Sequence, residues 1–381
     1  MAGGGRMKNP FIYGKIVTGE SFVNRQKEKA DLTKYLLDNQ VIFLISSRRY
    51  GKSSLLKKVS EELKKKKAQV AYIDLFKCSS LEQFVAQYAR VLASLETSVV
   101  EKAVKLIGEW VSALRPQFTI DKDGTIGLEI DAKPREQEVY QLLEKLMEKP
   151  QEYAKKHKCP VIIMIDEFQE IVRFGGEQLE KYLRAVIQGQ KNVGYVFSGS
   201  KRSMLTDMVS KKSRAFYHSG PVMYLDKIGQ EEWIRYIKDK FRKSKIAIDD
   251  AVVIKIIQKA QNIPYYVQSL SHKTWELTLD SRKVNEKIIE EAVESIVDES
   301  RHVYVALWEM LPSTQQRLLE GIARGAIENP LSQDFIIRHQ MNSRSTVTTS
   351  LKLLEKKDIL ERSGKKYIFC DIWFSEWILK R

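Results

Sequence analysis

Val41-Ile42-Phe43-Leu44-Ile45 runs directly into Ser46-Ser47-Arg48-Arg49-Tyr50-Gly51-Lys52-Ser53, and a lysine-rich amphipathic stretch follows as far as Lys67. The first five residues are a short apolar run of the kind that forms a buried strand. Beyond Ser53, the residues Leu55, Leu56, Val59 and Leu63 recur at helical spacing, which predicts a helix with one apolar face. Lys64 to Lys67 closes that helix, where cations suit the negative end of the dipole. The order is therefore strand, loop, helix. The loop matches the pattern G-x-x-x-x-G-K-[ST] everywhere except its first position, where Ser46 stands for glycine.

Phosphate oxygens need hydrogen-bond donors. Free backbone N–H groups of such a loop and of the helix start supply them, and the helix dipole adds to the attraction. Gly51 allows the backbone to approach closely, Lys52 reaches the β- and γ-phosphates, and the Ser53 hydroxyl is a hard oxygen ligand for Mg²⁺. Ser46 is expected to strain the loop if glycine-type backbone angles are needed there, at about 1–3 kcal/mol.

About 110 residues downstream, Val161-Ile162-Ile163-Met164-Ile165 ends in Asp166-Glu167. An apolar strand ending in two acids fits a second, metal-side element. Asp166 holds Mg²⁺ through water in this reading, and Glu167 orients or deprotonates the attacking water. Gly194 to Phe197 is another buried strand, ending in Ser198-Gly199-Ser200. Either serine there would reach the γ-phosphate or the water. Val70 to Phe76 and Val222 to Leu225 complete a set of five strands. Short apolar strands alternating with helices imply a parallel sheet covered on both faces. Phe118 to Ile120 and Thr125 to Ile130, joined through Asp121 to Gly124, predict a hairpin inserted at about residues 115–135.

From Glu231 to about Val297 the pattern is helical without a convincing strand. After Leu311 come three helices and a β element at Lys366 to Phe369, which fits a winged helix-turn-helix. A DNA reader of this kind would present Arg344, Thr346, Thr349, Lys352 and Lys365. Residues 301–381 hold thirteen Lys and Arg against nine Asp and Glu, so the chain's net charge of +15 is spread rather than concentrated here. Trp373, Phe374 and Trp377 read as packing residues.

Composition sets outer bounds. A length of 381 residues suits two or three domains, and 43% apolar residues suffice for sizeable cores. Cys78, Cys159 and Cys370 match neither a zinc motif nor a disulfide framework, so a reducing, cytoplasmic location is expected. No apolar run approaches the roughly 20 residues of a membrane span. Residues 1–6 read as an appended leader ahead of a native start at Met7.

These residues together resemble the archaeal-type P-loop ATPases of the AAA+/STAND group. Asn9-Pro10-Phe11 and Phe22 to Glu28 are similar to the family's N-terminal F-x-x-R-x-x-E segment, and Arg48 to Leu55 to its arginine-containing phosphate loop. Asp166-Glu167-Phe168-Gln169-Glu170, Phe197 to Ser200, and Ile263-Pro264-Tyr265-Tyr266 resemble its acidic strand end, sensor strand and lid motif. The resemblance implies an α/β AAA+-like core over residues 7–225, a helical lid over 226–300 and a winged helix over 301–381. It implies ATP and Mg²⁺ as ligands. Ser47, Arg48, Arg49, Tyr50, Gly51, Lys52, Ser53 and Ser54 would contact nucleotide, joined by Arg25 and Pro264. Ser53 and Asp166 would hold the metal, and Lys52, Glu167 and Ser200 would be catalytic. Expected behaviour is a nucleotide-driven switch, with nucleotide-dependent homo-oligomers in view. Its winged helix would meet double-stranded DNA or a protein. The alternatives are a DNA-binding protein with structural nucleotide and a defence or signalling ATPase. The chain departs from the family at Ser46 and around Phe216, where relatives often carry a proline and a nearby arginine. Arg214, Arg48, Arg49 and Arg184 are the candidates for that arginine.

Overall fold

Five parallel strands carry the region that matters for function. In the computed structural model the chain is described over residues 7–121, 126–130, 134–200, 202–325 and 329–381. Residues 1–6, and residues 122–125 of the expected hairpin, lie outside the described residues. Two compact units are present, one spanning Ile16–Lys227 and the other joining the N-terminal residues up to Lys15 with Ile228–Arg381.

The first unit contains β1 (Val41–Ser46), β2 (Gln69–Asp74), β3 (Pro116–Ile120), β4 (Ile126–Ile130), β5 (Val161–Asp166), β6 (Val193–Gly199) and β7 (Val222–Leu225). The main sheet has the order β2-β5-β6-β1-β7 and every neighbouring pair is parallel. β3 and β4 form a separate antiparallel hairpin with Ile120 opposite Ile126. Alternation along the buried strands serves two cores. Ile42 and Leu44 join Leu55, Leu56, Val59 and Leu63 of helix Lys52–Lys65 on one face. Phe43 and Ile45 join Phe84, Tyr88, Leu143 and Leu183 on the other. Each of these fully buried side chains contributes roughly 1.5–3 kcal/mol relative to exposure.

Register brings the strand ends to one edge. Asp74 pairs with Asp166, Ile165 with Phe197, Ile45 with Gly199 and Ser46 with Leu225. β2 stops at Asp74, short of the expected Phe76, because the Asp74 carboxylate accepts from Phe76 N at 3.1 Å and turns the chain into a 3₁₀ segment.

The second unit opens with helices Gln230–Lys243, Asp250–Lys259, Pro264–Leu277 and Glu286–Glu299. Residues 7–15 pack here rather than with the sheet, since Phe11 is buried against Phe241 and Tyr236 and the Asn9 amide donates to His272 O at 3.0 Å. Helices Ser313–Ala323, Gln333–Arg338 and Arg344–Lys356 follow, then β8 (Leu360–Ser363) and β9 (Lys366–Phe369) as an antiparallel pair. β8 and the final helix Ile372–Lys380 were not expected from the sequence. That helix buries Trp373 and Phe374, and stacks Phe374 on Trp377. No helix among the described residues is long and apolar enough to cross a membrane.

Candidate phosphate and metal site

The loop after β1 turns late. Ser46 is the last residue of the strand, fully buried and paired with Leu225, while the left-handed residues are Arg49 (φ 70°) and Gly51 (φ 86°). The strain expected at Ser46 is therefore absent, because the chain is still extended at that point. What the serine adds is a buried hydroxyl with no hydrogen-bond partner among the described residues. Gly51 sits at the N-cap of helix Lys52–Lys65, a conformation that costs glycine nothing. The loop is braced from its own unit: the buried Arg25 guanidinium donates to Tyr50 O at 3.3 Å and to Asp226 O, and Ser54 Oγ accepts from Val17 N at 2.9 Å. Ser47 is buried, whereas Arg48 and Arg49 are exposed.

Helix start and strand end meet at Lys52. Its Nζ lies 2.6 Å from Asp166 Oδ1 and 2.7 Å from Glu167 Oε1. Ser53 Oγ donates to Asp166 Oδ2 at 3.2 Å, and Ser198 Oγ to Asp166 Oδ1 at 2.7 Å. Ser200 Oγ donates to Glu167 Oε2 at 2.8 Å. Both serines at the end of β6 thus engage, each with a different acid. Glu167 itself is left-handed, with φ 53°.

Burial alone would raise the Asp166 carboxyl, but the Lys52 ammonium and the hydrogen bonds from Lys52, Ser198 and Tyr72 outweigh it and hold the group below its ordinary range. Glu167 follows the same balance: burial opposes, and Lys52 with the Gln169 hydrogen bond prevails. Both acids are ionised at neutral pH.

Two participants had no role in the sequence reading, Tyr72 and the motif residue Gln169. Tyr72 OH donates to Asp166 Oδ2 at 2.8 Å, and burial together with Asp166 pushes its phenol well up, so it remains a donor. Its signal was the two-residue spacing to Asp74, which puts both on one face of β2. Gln169 Nε2 donates to Glu167 Oε2 at 2.5 Å. Arg214, by contrast, is committed to the fully buried Glu180 through two hydrogen bonds. Pro264 belongs to the other unit, at the first position of helix Pro264–Leu277.

The donor set fits Mg²⁺. Ser53 Oγ and Asp166 Oδ2 are hard oxygens converging on one point. Among the described residues no group of three or more His, Cys, Asp or Glu could cage a metal by itself. Mg²⁺ is characteristically held by one or two protein oxygens, with water and phosphate completing the octahedron.

Sheet, loop and acidic strand end define a P-loop α/β protein of AAA+-like architecture, with a winged helix at its C-terminal end. Residues 22–228 match the family described as an ATPase domain predominantly from Archaea, and residues 302–380 match a probable winged helix domain. The chain belongs to that archaeal ATPase family. Among solved structures, the Walker-type ATPase PABY2304 of Pyrococcus abyssi superposes with a TM-score of 0.63 at 17% identity, covering 94% of this chain and 97% of that one. The Aeropyrum pernix ORC2 protein, solved as ADPNP–ADP complexes, gives 0.54 at 14% identity over 93% and 92%. The ORC1 protein of the same organism, solved with DNA, gives 0.52 at 14% over 95% and 93%. No curated protein matches the chain by sequence.

Proposed function

We propose that the chain binds ATP with Mg²⁺ at the Gly51–Ser53 helix start, hydrolyses it, and uses the cycle as a conformational switch. The observation that carries this reading is the convergence of Lys52, Ser53, Asp166 and Glu167 within hydrogen-bonding distance at one sheet edge. Backbone N–H groups of Ser47 to Lys52 cradle the phosphates, with Arg48 and Arg49 beside them. Lys52 exchanges its carboxylate partners for the β- and γ-phosphate oxygens. Ser53 and Asp166 hold the metal, which when bound neutralises charge on the transferred phosphoryl group. Glu167 accepts the proton of a water whose oxygen bonds to the γ-phosphorus as the bridging P–O bond breaks. Ser200 orients Glu167, and Arg25 keeps the loop in place through Tyr50 O. Pro264 enters by family resemblance as the helical region's nucleotide contact. A reducing, cytoplasmic setting and nucleotide-dependent self-association belong to the same proposal.

Turnover of ATP by wild type, Glu167→Gln and Lys52→Ala tests it. Glu167→Gln is expected to retain ATP and lose hydrolysis by about a hundredfold or more. Wild-type ATP affinity in Lys52→Ala would remove the site assignment.

For the winged helix the reading is duplex DNA. Arg344, Thr349, Lys352 and Lys365 are exposed on helix Arg344–Lys356 and the β8–β9 turn. Thr346 is instead drawn into the helix cap, its N–H donating to Ser343 Oγ at 3.2 Å. The DNA complex of the similarly folded ORC1 protein supports the reading. Affinity for duplex DNA should fall with salt along a log–log slope of about −0.9 per phosphate contact. Absence of binding at low salt would leave a protein partner as the occupant.

A further inference from the structure

Glu167 presents an acceptor arithmetic that the catalytic reading leaves unexplained. Its Oε1 accepts one donor, Lys52 Nζ at 2.7 Å. Its Oε2 accepts two, Gln169 Nε2 at 2.5 Å and Ser200 Oγ at 2.8 Å. A carboxylate oxygen has two lone pairs. Oε2 is therefore filled, while among the described residues Oε1 has one donor and keeps an acceptor site. The two donors to Oε2 arrive from different strands' ends, so the carboxylate plane is held from two directions.

Gln169 is built into that position. It is 2% exposed and lies in the 3₁₀ turn Phe168–Glu170, which the left-handed Glu167 starts. A left-handed conformation is uncommon for glutamate and strained, so the surroundings must hold it. The turn brings residue 169 back over residue 167. On its far side the carboxamide rests on Gly199: a Cβ at that position would overlap Gln169 Oε1, come within 3.2 Å of its Cδ, and also press on Leu205 Cδ1. Gly199 is thus the floor on which the amide lies.

We infer that Gln169 is a positioning residue for the hydrolytic reaction: seated on the bare Cα of Gly199, its amide pins Glu167 through Oε2 and reserves Oε1 for the attacking water. The inference rests on the ATPase reading given above. A general base must stand within about 0.5 Å of its productive place, and a displacement of about 1 Å costs up to a hundredfold in rate. Losing one of the two donors to Oε2 loosens the Glu167 carboxylate about its side-chain bonds without touching the phosphate loop.

Steady-state hydrolysis and equilibrium binding of a non-hydrolysable ATP analogue, measured on the full-length chain, test this. Gln169→Ala should lower kcat about tenfold to a hundredfold while analogue affinity stays within about twofold of wild type. Gly199→Ala displaces the same amide, and Leu205 with it, and should lower kcat at least as far, whereas Leu205→Ala alone should leave kcat within about twofold of wild type. The double variant should fall by less than the product of the two single losses, because both changes act on the contact between Gln169 and Gly199. Wild-type kcat in Gln169→Ala overturns the inference. So does a loss of rate matched by a loss of analogue affinity, which would make the side chain a support of the whole site. Additive losses in the double variant overturn it as well. These outcomes are read against wild-type turnover that Glu167→Gln abolishes; if wild type shows none, it is the ATPase reading that fails.

Discussion

At the carboxyl edge of the main sheet, Lys52, Asp166 and Glu167 are largely removed from water, the one ammonium pairing with both carboxylates. Along helix Arg344–Lys356 the cations Arg344, Lys352 and Lys356 stand in solvent. The same residue types do opposite work in the two regions. A buried charge is costly without a partner, so each member of the first cluster depends on the others for its own ionisation. An exposed charge costs the fold little and is available to an outside anion. Buried charge fixes atoms to fractions of an ångström, as hydrolysis requires. Exposed charge tolerates motion and suits a long, repetitive partner such as a phosphate backbone.

The sharpest way to break the contrast is Lys52→Ala. Two carboxylates would be left buried without their cation, and the chain should lose about 3 kcal/mol at neutral pH by urea denaturation, along with ATP binding. The pH dependence carries a definite sign. Asp166 and Glu167 are held below their ordinary values of 3.8 and 4.5, so their stabilisation is present above those values and lost as pH falls through the lower folded ones. The gap between wild type and Lys52→Ala should therefore be full at pH 7 and close below about pH 4. A gap that stays constant to low pH would separate the stability loss from the ion cluster.

Arg214→Ala asks whether buried pairing in the same unit is costly wherever it occurs. Glu180 is fully buried and Arg214 is its partner, so a loss of about 3 kcal/mol is expected with ATP affinity little changed. Loss of ATP binding in a stably folded variant would instead place Arg214 in the nucleotide chemistry.

Tyr72→Phe is a milder cut. It removes one donor from Asp166 Oδ2 at a half-exposed position, and the expected cost is roughly 1 kcal/mol. The Mg²⁺ concentration giving half-maximal turnover should rise by severalfold. No change in either quantity would mean that Lys52, Ser53 and Ser198 hold Asp166 without help from Tyr72.

Smallest in stability is the pair Arg344→Ala and Lys352→Ala, expected to stay within about 0.5 kcal/mol of wild type in urea. Their effect should appear only in DNA binding, as a salt slope shallower by about 0.9 for each phosphate contact removed. An unchanged slope would move the contact surface elsewhere.

Much of the fold was legible in advance because its signals are local. Val41 to Ile45 and Val161 to Ile165 are apolar runs that can only be buried strands or short buried helices, and the flanking turn residues decide for strands. Leu55, Leu56, Val59 and Leu63 mark their helix by spacing alone. Short elements in strongly aromatic surroundings were harder: β8, Leu360–Ser363, has a single apolar residue, and the last helix reads as scattered aromatics until Phe374 and Trp377 are seen stacked.

The sequence by itself also marked Gly51-Lys52-Ser53 and Asp166-Glu167 as chemically unusual, since loop glycine, lysine and paired acids at strand ends are residue choices that packing does not explain. It placed the expected difficulty at Ser46, and only the structure moved the left-handed turn to Arg49 and Gly51. Tertiary structure alone brought Lys52 to Asp166 across 114 residues, set Tyr72 against the same carboxylate, and laid Gln169 between Glu167 and Gly199. The physical reason is that periodicity is a property of neighbours along the chain. Which carboxylate meets which donor depends on strand register and on turn conformation, and those are settled only when the whole sheet packs.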